Sequence, residues 1–445
     1  MVIFSIYNKL SWEKSYKNIS RIQKLLFKST FVSNKNKCLV IQKLILSSNS
    51  ARLLAIRQVT QVSLNKKIPG IDGKVSLSFN ERFELNEYLK SNFNSWQPQV
   101  LRKVFFFKKD GSLESSQIPT IADRVWQCLI SYAIEPVQEA RFNPSSFGFR
   151  AISSIYDIQK VIFLNICKQS FGTQKRVLLI DLINVFNIFN LDYLVNKLVA
   201  PRGIKLGIFR LLNFGFKPRF PLVSINQDPE ILASLFANIL LDGVENVHSS
   251  VRFGSKLLIF LKPLDNESFI LNKVKLFLDS VGLCSGSIDL KLFSTIGGFD
   301  FLDWHFKVYK SRDFSCTPSF QNYQSFLKRI KYIINNSNYG SVIKANKLFP
   351  IIRDWKIYHK FCDMSSAKFS LFFVQKRAFK IFRKESKNDS YSAKSLIKKC
   401  FFVMNTTSGN LSDLSISTYA GHVCFWLYFS PFKKSYFCIH CGMKL

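Results

Sequence analysis

Acidic residues are scarce in this chain of 445 residues: 29 Asp and Glu stand against 63 Lys and Arg, which leaves a formal net charge of +34. A field this positive destabilises the compact state unless a polyanion neutralises it. The candidate partners are therefore nucleic acid and an anionic membrane surface. Hydrophobic residues still make up 47% of the chain, enough for a large buried core, and this excludes a wholly disordered basic tail.

Signals for membrane insertion, secretion and disulfide formation are also missing. No apolar run reaches the roughly 18–20 residues that a membrane span needs. The first residues lack the apolar segment and small-residue cleavage site of a secretory signal. The ten cysteines are irregularly spaced, which favours buried thiols in a reducing compartment over a disulfide framework. The 45 phenylalanines are interpreted as the product of an A+T-rich gene rather than as a stacking surface.

The positive charge is concentrated near the two ends of the chain. Residues 1–68 hold 13 Lys or Arg and one acid, Glu13, for a net charge of +12. Residues 301–400 hold 21 Lys or Arg and six acids, for a net charge of +15. Within the first segment, Ile41–Val62 has apolar residues at helical spacing with basic residues between them, which predicts a basic amphipathic helix or helix pair. Such one-sided charge favours an anionic partner over a merely solvated face.

The middle of the chain predicts strands and helices in alternation, and the pattern becomes helical after about residue 318. The dipeptide Pro119-Thr120 predicts the start of a helix. Asp181 ends a short apolar strand, where metal ligands and ordinary loop-start aspartates both occur. The predicted strands and hairpins are the hairpin Val100–Ile118, the strand Arg176–Leu182, the hairpin Ser249–Phe260 turning at Gly254-Ser255, and the strand Phe299–Phe306.

Nine short segments between residues 69 and 358 occur in the order of the sequence blocks of one protein family. They are Pro69–Gly73 (PGIDG), Lys108–Gly111 (KKDG), Ile118–Arg124 (IPTIADR), Ile134–Pro136 (IEP), Ser146–Arg150 (SFGFR), Ile180-Asp181 with Phe186-Asn187, Leu235–Ile239 (LFANI), Gly298–Leu302 (GFDFL), and Leu348–Arg353 (LFPIIR) with Trp355 and Tyr358. Any one block is weak, but nine in register are specific. Together they resemble the reverse transcriptase-like maturases encoded within group II introns.

The resemblance implies an α+β fold. Its first part is a reverse transcriptase-like right hand, with fingers and palm built on a mixed or antiparallel sheet flanked by helices, and a helical thumb or maturase domain follows. The implied domains are a basic N-terminal helical extension over residues 1–68, degenerate fingers and palm over 69–310, the thumb over 311–405, and a C-terminal tail over 406–445.

The resemblance also implies that the polymerase site has been lost. Nucleotide addition needs two Mg²⁺ ions held by carboxylates, which activate the 3′-hydroxyl and neutralise the leaving phosphate. Asp181 matches the first of these carboxylates, but Ser255 and Lys256 stand where the family's YADD motif has its two aspartates. One carboxylate cannot hold two hard divalent ions. Gln227–Glu230 departs from the family's PQGG turn as well. We therefore expect no catalytic residues and no enzyme activity, with Asp181 as a remnant.

The implied function is that of an RNA-binding splicing factor, which assists the folding and excision of organellar group II-type introns. Its partner is structured intron RNA or precursor mRNA, with no membrane and no small-molecule substrate, and binding combines phosphate contacts with base stacking. The predicted RNA-binding residues of the first two domains are Arg52, Arg57, Lys108, Lys109, Arg124 and Arg150. Those of the thumb are Lys328, Arg329, Lys331, Lys344, Lys347, Arg353, Trp355, Lys356, Tyr358, Lys376, Arg377, Lys380, Arg383 and Lys384.

Several alternatives are compatible with the sequence. Trp355 and Tyr358 fit the thumb core better than a stacking platform. The main alternative function is a working reverse transcriptase whose metal ligands are displaced to Asp228, Glu230 or Asp242. A basic protein of the membrane surface and the product of a decaying reading frame are further alternatives. Neither the target intron nor the oligomeric state follows from the sequence.

The last residues contain the pair Cys438 and Cys441, with the spacing that presents two thiolates to Zn²⁺. Many members of the family continue into a zinc-bearing nuclease module that opens with such a pair, and here the chain leaves no room for the second pair. We expect no cofactor, and Cys438 and Cys441 are the candidate ligands if zinc binds. The A+T-type composition, without a targeting segment, favours the plastid stroma, with the mitochondrion as the alternative.

Overall fold

The computed structural model describes residues 12–401 except 64–67, 108–110, 112, 151–153, 222–230, 287 and 387–388, and these residues form a mixed α+β fold. The α-helices are α1 (Trp12–Phe31), α2 (Lys35–Ser47), α3 (Asn49–Arg57), α4 (Phe79–Asn92), α5 (Ile121–Glu139), α6 (Ile155–Ile166), α7 (Leu191–Lys197), α8 (Arg202–Asn213), α9 (Ile231–Leu241), α10 (Glu267–Ser280), α11 (Phe320–Asn335), α12 (Ser341–Tyr358), α13 (Ser365–Glu385) and α14 (Ser390–Phe401). The strands are β1 (Arg102–Phe107), β2 (Leu113–Ile118), β3 (Ser146–Phe147), β4 (Arg176–Asp181), β5 (Ser250–Phe253), β6 (Lys256–Leu261), β7 (Asp289–Ser294), β8 (Phe299–Phe301), β9 (Trp304–Val308) and β10 (Phe314–Pro318).

A five-stranded sheet brings the middle segments of the chain together, in the order β3-β5-β6-β4-β7. Its strands pair antiparallel, except that β3 and β5 are parallel. The predicted hairpin forms β5 and β6, and the predicted strand forms β4 beside it. In this register Asp181, at the end of β4, lies opposite Lys256 on one side and opposite Asp289 on the other.

Both faces of the central strands of this sheet are buried, each against a different group of helices, whereas the edge strand β7 is largely exposed. Successive residues of a strand point to opposite faces. Leu257 and Ile259 of β6 accordingly join a first core with α1–α3, α5 and α9, whereas Leu258 and Phe260 join a second core with β8–β10 and α11–α14. The sheet therefore connects the N-terminal helices to the C-terminal helices through its two faces.

The start of α5 shows how two of the sequence blocks meet. Thr120 is the N-cap of α5, and its Oγ1 accepts the N–H of Asp123 at 3.2 Å. Arg124, one turn later, donates from Nη2 to the carbonyl of Ile68 at 2.7 Å. Gly70 packs so closely here that an added Cβ would lie 2.6 Å from the Cα of Thr120. The PGIDG and IPTIADR segments thus form one junction in front of α5.

The prediction of a single strand over Phe299–Phe306 is wrong. The chain turns at Leu302 and Asp303, whose φ angles are +53° and +68°, and the two halves pair antiparallel as β8 and β9. Neither residue is glycine, so the sequence carried no strong turn signal there. The hairpin places the ring of Trp304 inside the second core.

The C-terminal helices α11–α14 close the second core with stacked aromatic rings. Trp355 stacks on Phe326 with ring centroids 4.1 Å apart, and its Nε1 donates to Asn322 Oδ1 at 2.8 Å. Tyr358 stacks on Trp304 at 5.0 Å, and this contact joins α12 to the β8–β9 hairpin. Trp355 and Tyr358 are both buried. Trp355 therefore holds α12 to α11, and Tyr358 holds α12 to the β8–β9 hairpin.

The predicted basic amphipathic segment forms the helix pair α2 and α3. No single helix in the described ranges is long and apolar enough to cross a membrane. One pair of consecutive helical segments, Lys35–Ser47 and Asn49–Val62, is long and apolar enough only when taken together, and the two segments meet at an angle of 61°. Their apolar residues, among them Ile45, Leu46 and Leu54, are buried in the first core.

Replacing Trp355 with Ala should lower the free energy of unfolding by about 3–5 kcal/mol, because a buried aromatic side chain is removed from a packed core. Trp355→Phe should cost less, since it keeps the stacking on Phe326 and loses the hydrogen bond to Asn322. Urea denaturation would measure both effects. Phe320→Ala is the matched control, because Phe320 is 73% exposed. Equal losses at both positions would contradict the core assignment of Trp355.

Candidate functional site

Asp181 lies at the turn of the β5–β6 hairpin, as the resemblance implies. Its Oδ1 accepts the hydroxyl of Ser255 at 2.9 Å and the N–H of Ile183 at 3.0 Å. The N–H of Leu182 donates to the carbonyl of Ser255 at 2.8 Å, which fixes the strand end to the hairpin turn. Lys256 is exposed and stands opposite Asp181 in the sheet register. The structure thus joins the three positions: the hydroxyl of Ser255 is hydrogen-bonded to Asp181, and Lys256 and Asp289 are the register neighbours of Asp181 in the sheet.

The surrounding carboxylates do not form a metal cluster with Asp181. Within the described part of the chain, no group of three or more His, Cys, Asp or Glu side chains is placed to hold a metal ion together. Asp242 instead accepts the N–H of Asn143 at 3.1 Å, and burial raises the pKa of Asp242 above its usual value. Asp228 and Glu230, the other two candidate replacements, lie outside the described residues, as does the rest of Gln227–Glu230.

A buried guanidinium sets the shape of the hairpin turn. Arg252 of β5 has no exposed surface, and its Nε forms an ion pair of 2.5 Å with Glu245, which is itself buried. Its Nη1 donates to Gly254 O and to Asn238 Oδ1, both at 2.9 Å, and its Nη2 donates to Ser146 Oγ at 2.5 Å. One side chain therefore ties together β3, β5, α9 and the turn itself. Sequence reasoning missed this residue, because its only signal was a basic residue inside a strand.

Aromatic rings cover the outside of the same turn. Phe149 stacks on Phe220 with centroids 5.2 Å apart and lies 5.9 Å from Phe253. Phe186 meets Phe220 edge-on at 5.6 Å. Gly254 has a φ of +56°, and a Cβ at this position would lie 2.8 Å from the ring of Phe149. The turn accordingly accepts no side chain at position 254 unless the aromatic cover moves.

Several predicted RNA-binding residues of the N-terminal and central parts hold the fold instead. Arg52 is buried and donates to the carbonyl of Ser47 at 2.7 Å. Arg150 is buried and forms an ion pair with Glu139 at 3.0 Å. Because their donors are used inside the protein, we correct their assignment from RNA contact to structural support.

The other candidates of this region are only partly available. Arg124 is half-buried and holds the junction in front of α5. The guanidinium of Arg57, also half-buried, lies 4.4 Å from the ring centroid of Trp12. Lys108 and Lys109 lie outside the described residues.

The predicted thumb candidates divide into buried and exposed residues. Lys344 is buried and forms an ion pair with Glu385, and Lys356 is buried too, so both are corrected to structural roles together with Trp355 and Tyr358. The half-buried Arg353 pairs with the neighbouring Asp354 at 2.7 Å, which offsets its charge. The exposed candidates are Lys328, Arg329, Lys331, Lys347, Lys376, Arg377, Lys380, Arg383 and Lys384.

Exposed cations extend beyond the residues that the sequence singled out. On α14 these are Lys394, Lys398 and Lys399. On α1 and α2 they are Lys14, Lys17, Arg21, Lys24, Lys28, Lys35, Lys37 and Lys43. The net charge of residues 1–68 predicted that this segment binds an anion, but the helical spacing did not show which of its lysines and arginines are exposed.

Comparison of the sequence with known proteins identifies the relatives of this chain. Residues 7–89 match the family model described as the N-terminal domain of reverse transcriptase. The chain is also 49% identical to Maturase-like protein 1 of Euglena gracilis over 451 aligned residues, covering 99% of this chain and 98% of that protein. Maturase-like protein 1 of Euglena longa is 48% identical over 456 residues, with full coverage of both chains. The chain therefore belongs to the family of reverse transcriptase-like maturases.

A third relative matches a shorter part of the chain. Protein YkfC of Escherichia coli (strain K12) is 31% identical over 121 residues, which cover 26% of this chain and 32% of that protein.

Replacing Arg252 with Met should destabilise the protein by about 3–5 kcal/mol, because Glu245 is then left as an unpaired buried charge. Adding Glu245→Gln to this variant should recover part of the loss. Lys256→Met is the matched control in the same hairpin, and we expect a change within about 0.5 kcal/mol because its side chain is exposed. Thermal and urea denaturation measure these effects. A similar loss in the two single variants would contradict the role of the buried guanidinium.

Proposed function

We propose that this protein is an RNA-binding maturase that assists the folding and excision of organellar group II-type introns without synthesising DNA. The observation that carries the proposal is the exposed cation surface of α11–α14, on a chain that belongs to the maturase family. Phosphate groups neutralise such a surface and release counterions, which supplies much of the affinity of a protein for nucleic acid. In this proposal the ribozyme performs the splicing chemistry, and the protein stabilises its active fold.

The proposed architecture is that of a polymerase hand. The five-stranded sheet would be the palm, the β1–β2 hairpin would belong to the fingers, and α11–α14 would be the thumb. The domains are those expected from the sequence: 1–68, 69–310, 311–405 and 406–445. The two cores place α1–α3 on one face of the proposed palm sheet and the proposed thumb on the other, so each group of helices would contact RNA on its own side of the sheet.

The hairpin geometry supports the absence of polymerase activity. The carboxylate of Asp181 already accepts two hydrogen bonds, and its register partner in β6 is Lys256. Ser255 and Lys256 supply no carboxylate to a divalent ion at Asp181, and the positive charge of Lys256 repels such an ion. No metal or other cofactor is part of the proposal, and the candidate zinc ligands Cys438 and Cys441 lie outside the described residues.

The proposed partner is structured intron RNA within precursor mRNA, and neither a membrane nor a small-molecule substrate is part of the proposal. The A+T-type composition supports the plastid stroma as the location, with the mitochondrion as the alternative. Crosslinking in the native organelle, followed by sequencing of the bound RNA, identifies both the compartment and the intron.

The purified protein should bind a group II intron RNA more tightly than an unrelated structured RNA of equal length, and it should lower the Mg²⁺ concentration needed for splicing. The triple variant Lys328→Gln/Arg329→Gln/Lys331→Gln should weaken binding and flatten the slope of log K against log salt by about one for each phosphate that is no longer neutralised. Filter binding over a salt series measures both quantities. Equal affinity for the two RNAs, or vesicle binding that survives competing RNA, would count against the proposal.

Primer extension with Mg²⁺ or Mn²⁺ should yield no product, and Asp181→Ala should leave intron binding and splicing within about twofold of the unmodified protein. The physical reason is that Asp181 loses only local hydrogen bonds, each worth about 1 kcal/mol. Extension that is robust and disappears in Asp181→Ala would instead establish the alternative function, a reverse transcriptase with displaced ligands.

A further inference from the structure

A groove of about 380 Å³ opens between α13 and α14. The middle of α13 and the second half of α14 contribute the residues that face this groove. The groove is lined by Phe372, Gln375, Lys376, Phe379, Lys394, Ile397, Lys398 and Phe401. Of these, Lys376 alone was among the predicted RNA-binding residues. The volume lies at the lower end of the range for sites that bind small molecules.

The lining combines an aromatic floor with a positive rim. Phe401 and Ile397 are buried at its base, whereas Phe372 is 49% exposed. The ammonium of Lys376 lies 4.6 Å from the centroid of the Phe372 ring, which places a positive charge beside the aromatic lining. Among the described residues, the lining holds three lysines and no carboxylate. The groove therefore offers apolar contact and attracts anions at the same time.

We propose that this groove binds one unpaired nucleotide of an RNA, with its base against Phe372 and Phe379 and its flanking phosphates at Lys394 and Lys398. The inference rests on the proposed function and deepens it by assigning a nucleotide site. Aromatic rings stack on unpaired bases of any sequence, and ammonium groups bind the phosphates on either side. The amide of Gln375 can donate to and accept from a base edge.

Charge complementarity favours this occupant over an acidic peptide or a lipid surface. An acidic peptide would satisfy the lysines and leave the ring of Phe372 without a planar partner. A lipid surface would need a protruding apolar face, whereas the apolar residues here form a concave floor beneath lysines. An unpaired nucleotide supplies a flat apolar ring and an anion within one unit, and RNA loops present such nucleotides.

Octauridylate labelled with fluorescein is the probe, titrated into the full chain and followed by anisotropy. Phe372→Ala should weaken binding about tenfold, the loss of one stacked base, and Phe372→Tyr should restore it to within about twofold. Phe320→Ala, also an exposed phenylalanine but on α11, should change nothing. Thermal melting checks that each variant is folded. Equal binding by Phe372→Ala and the unmodified chain would overturn the proposal.

The phosphate contacts are tested separately by Lys394→Gln/Lys398→Gln. The slope of log K against log salt should become less steep by about 1.4, since each lysine–phosphate contact to a single strand contributes about 0.7. Lys275→Gln/Lys310→Gln is the control, because both lysines are exposed and neither lies on α11–α14. An unchanged slope in the groove variant would contradict the placement of the phosphates.

A third measurement locates the base directly. Octauridylate carrying 5-iodouridine should crosslink, under ultraviolet light, to the peptide that contains Phe372 or Phe379. Crosslinks confined to other helices, or equally effective competition by octaglutamate, would overturn the nucleotide assignment. If intron binding is normal while these tests fail, the groove is wrong and the proposed function stands. If octauridylate crosslinks in the groove while intron RNA is bound no better than unrelated RNA, the proposed function fails instead.

Discussion

The buried side chain of Arg252 is the interaction on which the centre of the molecule depends. A guanidinium without access to water is tolerated only when its donors are paired, because desolvation of an unpaired charge costs several kcal/mol. Arg252 meets this condition through Glu245, Asn238, Ser146 and the carbonyl of Gly254. These partners come from four different parts of the chain, so the hairpin turn, β3 and α9 can each take their places only together.

Most of the other lysines and arginines in the described residues lie at the surface and need no internal partner. An excess of positive charge repels itself, and the chain relieves this repulsion by placing lysines and arginines on the outer faces of helices at its two ends. Where a cation does enter the interior, an internal partner accompanies it, as Glu139 accompanies Arg150 and Glu385 accompanies Lys344. The buried cations therefore hold the protein together, and the exposed ones are left for a polyanion.

The sequence predicted those features whose cause is local. A threonine after proline capped a helix at Thr120, and Gly254 marked a real hairpin turn. It failed where the cause lies in another part of the chain. The sequence pattern of a helix does not show whether a lysine faces water or a buried partner such as Glu385. Lys344 was therefore wrongly predicted to bind RNA. The turn at Leu302-Asp303 had no glycine to mark it. The groove between α13 and α14 is invisible in either helix alone, because it exists only where their two faces meet.

The position of the hairpin in the sheet gives a physical reason for it to persist independently of the side chains at its turn. β6 lies in the middle of the sheet and contributes Leu257 to one core and Leu258 to the other. A change of side chain at Ser255 or Lys256 affects only the turn, whereas loss of the hairpin would open both cores at once. The buried network of Arg252 adds a second constraint, because its hydrogen bonds hold β3, β5 and α9 around the turn of that hairpin.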